Sequence, residues 1–390
     1  MVAGSSPAWG TRAGGGKELG ILAWLLICEE GDDERVGRGS KGQEALVSAP
    51  VLVTGATGFL GHTLCPYLVE RGYRLRALVR PASNCKFLRQ LGVELAWGDI
   101  RDGGAVRAAT DGCRAVVHAA AKFRFWGRRQ DFFSVNFEGT WNALRAACRA
   151  EVERFVFIST IAVIGAPRNT RPIDETYPPT PWDDYQRSKL KAERLTLRYH
   201  REHNLPTVVL RPGAFYGPGS HYAFNRLFFE DPLKGLVLQV QGGQHLTFPV
   251  YIQDVAQGIE LALRKGQPGQ IYNICGPSMS HREVNETVDR LLGHRIRRFD
   301  APAWTMLALA RAWTWLSRYT KREPYYPLNL ALYVFYDWQV SNDKARRELG
   351  FAPTPFEEGA RATLDWYREL GVGPTNWLTR LVARAARRKI

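Results

Sequence analysis

The chain of 390 residues has little cysteine and no long apolar run, and each shortage excludes a class of protein. Its 6 cysteines form no CxxC pair and do not cluster, which argues against a zinc site and against a disulfide framework. We therefore expect no metal and a reducing, cytoplasmic setting. No apolar stretch approaches the ~20 residues that a membrane-spanning helix needs. With 45% hydrophobic and 23% charged residues, the chain is also not a disordered or collagen-like protein.

Acidic residues are scarce relative to basic ones, with 38 Asp and Glu against 53 Lys and Arg and a formal charge of +15. Such a balance suits a polyanion, which could be nucleic acid, an anionic membrane surface or a phosphate-bearing ligand. The arginines are scattered, and the sequence contains no zinc finger or RNP motif. We therefore expect no nucleic-acid partner.

The two ends of the chain differ from the rest in composition. Residues 1–49 are rich in Gly, Ser and charge, and we interpret them as a disordered extension. An export signal is the alternative, but the segment lacks a small-residue cleavage site. Residues 373–390 form a basic amphipathic pattern, with Trp377, Leu378 and Leu381 on one face and arginines on the other. This tail predicts either peripheral membrane contact or a solvated surface helix.

From residue 50 onward, short β-rich runs alternate with longer helical patterns, which predicts a doubly wound α/β fold with a parallel, Rossmann-type sheet. The predicted strands are Val51–Thr54, Arg74–Val79, Glu94–Trp97, Ala115–His118, Phe155–Ser159 and Val208–Arg211. The predicted helices between them are Phe59–Glu70, Phe132–Arg149 and Asp184–His203.

The strongest local motif is TGATGFLG, which follows the first strand directly and opens the first helix. Gly55 allows a tight turn, Gly58 lets the backbone approach a pyrophosphate, and Gly61 allows close helix–sheet packing. The helix N-terminus adds partial positive charge for the phosphates. A purely structural turn is the alternative, but the strand–turn–helix context favours a dinucleotide site.

The end of the second strand indicates which dinucleotide binds. NAD-specific sites place an acid on the ribose about 20 residues after the glycine turn. Here no carboxylate occurs from Val79 to Asn84, and Arg80 could pair with a 2′-phosphate, with Ser83 as a further donor. We therefore expect NADP(H) to be preferred, with NAD(H) possible. An ordinary solvated arginine is the alternative interpretation of Arg80.

A second constellation, YQRSK, lies on the helix that begins near Asp184. The i, i+4 spacing places the phenol of Tyr185 and the ammonium group of Lys189 on one face. A nearby cation lowers the pKa of a phenol, which would make Tyr185 a general acid/base. The hydroxyl that binds the reacting oxygen would come from Thr160 or Ser159 at the end of an upstream strand.

These motifs, together with GDI, HAAA, VNFEGT and RPGAFYGPG, make the chain from about Val51 to Leu370 resemble the extended short-chain dehydrogenase/reductases. This group is the NAD(P)-dependent epimerase/dehydratases. The resemblance implies that Tyr185 is the acid/base, that Lys189 holds the nicotinamide ribose, and that Asn136 supports the active-site water chain. It also selects Thr160 over Ser159 and places Asp99 and Ile100 beside the adenine. The cofactor contacts that we expect are Gly55, Thr57, Gly58, Phe59, Leu60, Gly61, Arg80, Asp99, Ile100, Ala119, Ala120, Lys189 and Pro212.

The substrate side is less clearly marked in the sequence. Residues 50–219 and 247–277 are assigned to the nucleotide-binding domain, and residues 220–246 and 278–372 to a substrate-binding cap. The loop KFRFWG suggests an aromatic wall for a flat, apolar substrate, although packing of these rings against the cap is the alternative. We predict substrate contacts from Lys122, Phe123, Phe125, Trp126 and Tyr216.

The apolar pattern of one cap segment, Ala301–Tyr319, predicts a helix. Its stripe of Met306, Leu309, Trp313 and Leu316 predicts a buried face, whereas the side around Arg311 should lie near the surface. The helix would form either cap core or a hydrophobic lid that also touches membrane.

No arginine occurs between Gln239 and Asp254, where sugar-nucleotide enzymes of the group usually bind the diphosphate. The resemblance is therefore closer to the dihydroflavonol reductase, 3β-hydroxysteroid dehydrogenase and hopanoid-associated members. This favours an oxidoreductase for a hydrophobic alcohol or ketone that is sterol-, hopanoid- or flavonoid-like. A nucleotide-sugar epimerase or dehydratase is the alternative, and a cofactor-binding scaffold without turnover is a third possibility. A homodimer would also fit the family.

Overall fold

The architecture is described by a computed structural model for residues 49–372, apart from residues 169–170, 235–237 and 297. The extension predicted at residues 1–49 lies outside this part of the chain except for Ala49. The basic tail predicted at residues 373–390 also lies outside it. Within the described part, no helix combines the length and apolar character that crossing a bilayer requires.

The fold is organised around a seven-stranded sheet in which every neighbouring pair of strands is parallel. The strands of the described residues, in chain order, are β1 (Val51–Thr54), β2 (Leu75–Val79), β3 (Glu94–Trp97), β4 (Ala115–His118), β5 (Arg154–Ile158), β6 (Thr207–Pro212), β7 (Ala214–Tyr216), β8 (Leu238–Val240), β9 (Leu246–Thr247), β10 (Pro249–Tyr251), β11 (Ile271–Ile274), β12 (Met279–Ser280) and β13 (Phe299–Ala301). Seven of them form the large sheet, and the other six form two-stranded pairs. The sheet order is β11-β6-β5-β4-β1-β2-β3. The predicted doubly wound fold is confirmed.

Helices cover both faces of this sheet, and further helices follow its last strand. In chain order they are α1 (Phe59–Glu70), α2 (Lys86–Gln90), α3 (Gly103–Thr110), α4 (Arg129–Phe133), α5 (Gly139–Arg149), α6 (Asp184–His203), α7 (Asp231–Leu233), α8 (Ile252–Lys265), α9 (His281–Leu292), α10 (Ala303–Thr320), α11 (Ala331–Val334), α12 (Asp343–Leu349) and α13 (Phe356–Glu369). The first strand pairs with β2 on one side and β4 on the other, so the strand order reverses beside β1. Such a reversal opens a crevice at the carboxyl ends of the strands, where ligands bind in open α/β sheets.

The helix predicted over Phe132–Arg149 is not continuous. A π-helical turn, Ser134–Glu138, separates α4 from α5. Such turns are wider than an α-helix and occur often at functional sites. This one carries Asn136, which is fully buried. The regular helical pattern of the sequence contains no sign of this widening.

The prediction for the apolar cap helix was wrong for most of one face. Leu309 is 48% exposed and Leu316 is 47% exposed, and Trp313 is also exposed. The face that is buried instead runs through Ala310 and Ser317, whose small side chains allow the helix to approach its neighbours closely. The opposite side lies at the surface, as predicted.

Candidate active site

A continuous cavity of about 970 Å³ runs from the glycine turn across the carboxyl ends of the strands into the cap segments. Its first half, which we call the cofactor side, is lined by the glycine turn and by the ends of β2 to β4. Its second half, the substrate side, is lined mainly by large apolar and aromatic side chains. The substrate side includes Phe123, Phe125, Tyr222, Phe248, Met306, Tyr326, Leu330 and Tyr333.

The glycine turn leaves no room for side chains between the end of β1 and the loop after β4. Gly55 has a φ of +76°, and a Cβ atom there would lie 2.8 Å from the backbone nitrogen of Ala120. A Cβ atom on Gly61 would lie 2.1 Å from the carbonyl oxygen of Ala56. The N-cap of α1 is Gly58, which makes no side-chain capping hydrogen bond. The amides of the first helical turn are therefore free of a side-chain cap next to the cavity, which suits a phosphate group.

The end of the cofactor side that is farthest from the substrate side contains two arginines and an aspartate, and one of the arginines forms an ion pair with the aspartate. Arg80, Asp99, Ile100 and Arg101 all line the cavity. Arg101 donates two hydrogen bonds, each of 2.8 Å, from its guanidinium group to the two carboxylate oxygens of Asp99. These hydrogen bonds are the main reason that the pKa of Asp99 falls to about 2, and the charge of Arg80 adds to the effect. Arg101 was not among the predicted residues, although it directly follows the GDI motif.

A buried network of hydrogen-bonded side chains supports the cofactor side of the cavity. The Nδ1 atom of His118 lies 2.8 Å from the hydroxyl of Thr54, and its Nε2 atom lies 2.9 Å from the hydroxyl of Thr140. Thr54 also accepts a hydrogen bond from the backbone N–H of Ala120, and Thr140 donates to the carbonyl oxygen of Asn136. Burial, together with the charge of Lys189, lowers the pKa of His118 to about 3. The imidazole is therefore neutral, and it joins the glycine turn to the π-helical turn.

Helix α6 brings Tyr185 to the boundary between the two sides. Its N-cap, Asp183, accepts a hydrogen bond of 2.8 Å from the backbone N–H of Gln186. The phenol of Tyr185 and the hydroxyl of Thr160 both line the cavity and are hydrogen-bonded to each other. The oxygen of Thr160 also accepts from the backbone N–H of Ala162 at 3.1 Å, which fixes the orientation of the hydroxyl.

The hydroxyl of Ser159 has a different partner. It donates a hydrogen bond of 2.6 Å to the carboxylate of Glu193, which is only 2% exposed. Glu193 also forms a buried ion pair with Arg211 at 2.6 Å. The structure therefore commits Ser159 to this buried network and places Thr160 beside Tyr185.

Lys189 lies one turn after Tyr185 and is almost completely buried. Its ammonium group donates a hydrogen bond of 2.6 Å to the carbonyl oxygen of Ile158 and lies 4.3 Å from the ring centre of Phe157. Burial lowers the pKa of Lys189 to about 7, and the nearby charge of Glu193 acts in the opposite direction. The ammonium group is held at the end of β5 rather than against the phenol.

The expected effect of Lys189 on the phenol is not what the structure shows. Burial raises the pKa of Tyr185, and the negative charge of Asp183 raises it further. The hydrogen bond from Thr160 lowers it. The expectation that the ammonium group makes the phenol more acidic was therefore wrong for the free protein, because desolvation outweighs the other influences.

Asn136 positions two elements of the site without lining the cavity. Its side-chain oxygen accepts from the backbone N–H of Lys122 at 2.7 Å. Its amide group donates to the carbonyl oxygen of Lys122 at 3.2 Å and to the hydroxyl of Ser188 at 2.9 Å. It thus ties the loop after β4 to the helix that carries Tyr185. This makes it a positioning residue in the structure.

The aromatic loop after β4 lines the cavity and also packs against the cap segments. The ring centre of Phe123 lies 5.0 Å from that of Tyr185 and 5.6 Å from that of Tyr222. Phe125 is buried, and its backbone N–H donates to the hydroxyl of Tyr222 at 3.0 Å. Tyr222 in turn donates to the carboxylate of Glu323. Phe123 and Phe125 are therefore part of the cavity wall and also pack against the cap segments.

Several predicted contacts lie elsewhere. Trp126 is outside the cavity wall, whereas Phe123 and Phe125 of the same loop line it. Tyr216 is only 2% exposed and packs against Phe224, Phe229, Tyr251 and Phe356, which makes it a core residue. The remaining predicted residues that do not line the cavity are Gly61, which packs against Ala56, Ser83, which lies in the turn after Arg80, and Pro212, which is buried in β6.

The other predicted contacts do line the cavity. On the cofactor side these are Gly55, Thr57, Gly58, Phe59, Leu60, Arg80, Asp99, Ile100, Ala119, Ala120 and Lys189. On the substrate side Lys122 joins Phe123 and Phe125, and its ammonium group pairs with Asp131 at 2.9 Å. The cap residues of the wall were missed, since nothing local marks them.

Comparison with known proteins agrees with this geometry. Residues 51–275 match the model of the NAD dependent epimerase/dehydratase family. Sterol demethylase protein B of Methylococcus capsulatus is 30% identical over 333 residues, which cover 82% of this chain and 99% of that protein. A 3-beta-hydroxysteroid dehydrogenase of Mycolicibacterium neoaurum is 30% identical, and the match covers 82% of this chain and 92% of that protein.

A solved structure gives the same result for the fold. The crystal structure of UDP-glucose 4-epimerase from Thermus thermophilus, in complex with NAD, superposes with a TM-score of 0.64 at 28% identity. The superposition covers 82% of this chain and 99% of the epimerase. The resemblance found in the sequence motifs is confirmed, and the chain belongs to the NAD dependent epimerase/dehydratase family, the extended short-chain dehydrogenase/reductase enzymes.

Proposed function

We propose that the protein is an NADP(H)-dependent oxidoreductase that transfers a hydride between nicotinamide and a hydrophobic alcohol or ketone, with Tyr185 as general acid/base. The observation that carries the proposal is the position of the Tyr185–Thr160 pair. It lies where the glycine-lined cofactor side of the cavity meets the aromatic substrate side. A ketone on the substrate side would present its oxygen to these two hydroxyl groups.

The cofactor side fits a dinucleotide. Added Cβ atoms at Gly55 and Gly61 would collide with backbone, so the turn holds its close approach only with glycine. The turn, Asp99, Ile100 and Lys189 would hold the cofactor. When bound, the nicotinamide would supply or accept the hydride at its C4 atom.

The chain's own residues account for the proton. In reduction, the phenol of Tyr185 gives its proton to the substrate oxygen as the carbonyl carbon receives the hydride. In oxidation the alcohol gives its proton back to the phenolic oxygen of Tyr185. Thr160 binds the substrate oxygen through the hydroxyl that otherwise bonds Tyr185, while the backbone N–H of Ala162 keeps it oriented. Burial of the phenol excludes water from the transfer.

Two guanidinium groups support the preference for NADP(H). Arg80 and Arg101 both line the cofactor side, and the neighbouring carboxylate of Asp99 is already paired with Arg101. A 2′-phosphate would meet positive charge there. We expect kcat/KM to be higher with NADPH than with NADH. The variant Arg80→Gln should reduce the ratio of these two kcat/KM values about tenfold. A wild-type preference for NADH would contradict the assignment.

The relatives support a hydrophobic substrate, since two of them are named for sterol or steroid chemistry. The epimerase structure favours a nucleotide sugar as the second candidate. Two features of the cavity oppose that alternative. Thr247 and Phe248 line it where a diphosphate-binding arginine would be expected, and the buried carboxylate of Asp231 also faces it. At positions 247 and 248 a diphosphate would find no guanidinium group, and the carboxylate of Asp231, held by hydrogen bonds from Tyr325 and Tyr326, would add negative charge to the cavity.

Net cofactor turnover distinguishes these functions. The protein is mixed with NADPH and a panel of steroid-like and flavonoid-like ketones and, in a separate assay, with UDP-glucose and NAD⁺ or NADP⁺. We expect net oxidation of NADPH with an apolar ketone. Conversion of UDP-glucose without net reduction of the oxidised cofactor would identify an epimerase, because an epimerase returns its hydride. Cofactor binding without any product would identify a scaffold.

A further inference from the structure

The cap helix α10 carries an unusual amount of exposed aromatic surface. Trp304 is 71% exposed, Tyr319 is 69% exposed and Trp315 is 57% exposed. Single exposed apolar residues are common, but a contiguous group marks a surface that meets another molecule. The exposed large apolar side chains in and around this helix are Phe299, Trp304, Leu309, Trp313, Trp315, Leu316, Tyr319 and Tyr325.

Three of the exposed rings lie on one side of the helix, whereas Leu309, Trp313 and Leu316 lie outside that side. At 100° per residue, Trp304, Ala308, Ala312, Trp315 and Tyr319 fall on a single face, and the rings of Trp315 and Tyr319 touch with centres 5.0 Å apart. We call this set the outer face. A helix at the surface of a water-soluble protein normally turns polar residues outward. Arg311 also lies on this side, beside Trp304 and Trp315, but the rest of the outer face is apolar.

The inner side of the same helix forms part of the catalytic cavity. Met306 and Ala310 line the cavity on its substrate side. The helix is therefore a wall with apolar groups on both surfaces, one toward the cavity and one toward the outside.

The charges around the helix indicate what covers the outer face. Between Asp300 and Glu323 the sequence contains no Asp or Glu, while Arg311, Arg318, Lys321 and Arg322 are all basic. Tryptophan, tyrosine and basic residues together are typical of segments that lie at the boundary between lipid headgroups and acyl chains. Anionic lipids would attract the basic groups.

We propose that α10 docks its outer face on a lipid bilayer that contains anionic headgroups. The helix lies in the plane of the interface and does not cross it, in agreement with its length and composition. The cavity wall then rests on the membrane. If the proposed function holds, its apolar substrate enters the cavity from the lipid phase, past Met306 and Ala310.

Charge argues against two other occupants of this face. In a symmetric dimer the same patch meets itself, so the basic groups of the two copies would approach each other. The tail, residues 374–390, contains no Asp or Glu and ends in RRKI, so it too is basic. A basic tail is repelled by a basic helix, whereas both are attracted to an anionic surface.

Vesicle flotation of the full chain tests the proposal without substrate or cofactor, so its result does not depend on the proposed reaction. We expect the protein to float with vesicles of phosphatidylcholine and phosphatidylglycerol, and less with phosphatidylcholine alone. The combined variant Trp304→Ser, Trp315→Ser and Tyr319→Ser should lower vesicle partitioning at least ~10-fold. The control Trp141→Ser removes a tryptophan that is 40% exposed on α5, outside the cavity wall, and should bind as the unaltered protein does.

A second variant keeps the proposal testable if the triple substitution fails to fold. Arg311→Glu together with Lys321→Glu leaves the aromatic residues in place and should abolish the preference for anionic vesicles. The proposal is overturned if either folded variant binds vesicles as tightly as the unaltered protein does. It is also overturned if the triple substitution only splits a dimer in sedimentation velocity, or if deleting residues 374–390 alone removes all binding.

Discussion

The cofactor side and the substrate side of the cavity are built from different kinds of atoms. On the cofactor side, backbone and glycine lie so close that a Cβ atom at Gly55 would approach backbone atoms to 2.8 Å. On the substrate side, the wall consists of rings such as Phe123, Tyr222 and Tyr333, which contact their aromatic neighbours in edge-to-face, tilted and stacked arrangements. A wall of backbone admits one shape, whereas a wall of side chains can adapt. Cofactor binding and substrate selection should therefore respond to separate mutations.

The largest expected effect comes from the residue where the two sides meet. Tyr185→Phe removes the proton that the substrate oxygen needs, and kcat should fall at least ~100-fold. The ring remains, so the dissociation constant of the cofactor should be unchanged. Stopped-flow turnover and cofactor titration measure the two quantities. Tyr272→Phe is the control, because Tyr272 is also buried but bonds Glu348 away from the cavity.

A variant that retains most of its turnover would remove Tyr185 from the chemistry. If Tyr185→Phe also lowered the affinity for the cofactor, the two sides of the cavity would not respond to separate mutations, because Tyr185 would then contribute both to cofactor binding and to proton transfer.

The two adjacent hydroxyl residues give the next largest effect. Thr160 bonds Tyr185, whereas Ser159 bonds Glu193. We expect Thr160→Val to lower kcat roughly 10- to 100-fold and Thr160→Ser to restore it. Ser159→Ala should instead lower the free energy of unfolding, because a buried carboxylate loses a donor, and should leave KM unchanged. The reverse pattern would assign the catalytic hydroxyl to Ser159.

Much of the cofactor side could be predicted from the sequence because its signals are local. The glycine turn, the first strand and first helix, and the i, i+4 pair of Tyr185 and Lys189 all lie within short segments whose spacing determines their geometry. The observed bounds of β1 and α1 are those predicted. Strand alternation also indicated the fold class, since parallel sheets impose a repeated pattern.

The substrate side could not be predicted in the same way because its contacts join distant segments. Tyr222 and Glu323 are separated by 101 positions, and Asn329 bonds the carbonyl oxygen of Phe125 across 204 positions. No spacing rule connects such residues. For α10, the periodic stripe predicted the wrong buried face, because packing is set by the small residues Ala310 and Ser317 rather than by the largest apolar ones.

The buried imidazole below the cofactor side should make folding sensitive to acid. The pKa of His118 is about 3 in the folded protein and ~6.5 in an unfolded chain. As pH falls below ~6.5, the unfolded state gains a proton that the folded state does not accept, so stability is lost toward acid pH. The contribution approaches about 1.4 kcal/mol per pH unit within this window.

Urea unfolding at neutral and mildly acidic pH measures this slope. His118→Gln should be less stable near neutral pH but should lose less free energy on acidification than the unaltered protein, because glutamine does not titrate. Equal slopes for the two proteins would show that His118 is already charged or that it is not buried in solution.

The smallest effect is expected on the adaptable wall. Phe123 is 36% exposed, and its ring lies 5.0 Å from that of Tyr185, centre to centre. Phe123→Ala removes part of one wall beside the reacting oxygen, so KM for a bulky apolar ketone should rise about 3- to 5-fold, which corresponds to about 1 kcal/mol of lost contact. The neighbouring rings can move into the space, which keeps the effect small. Phe299→Ala, assayed without lipid, is the control, because Phe299 is 75% exposed and outside the cavity wall. A rise in KM for NADPH, with none for the ketone, would show that this ring serves the cofactor side.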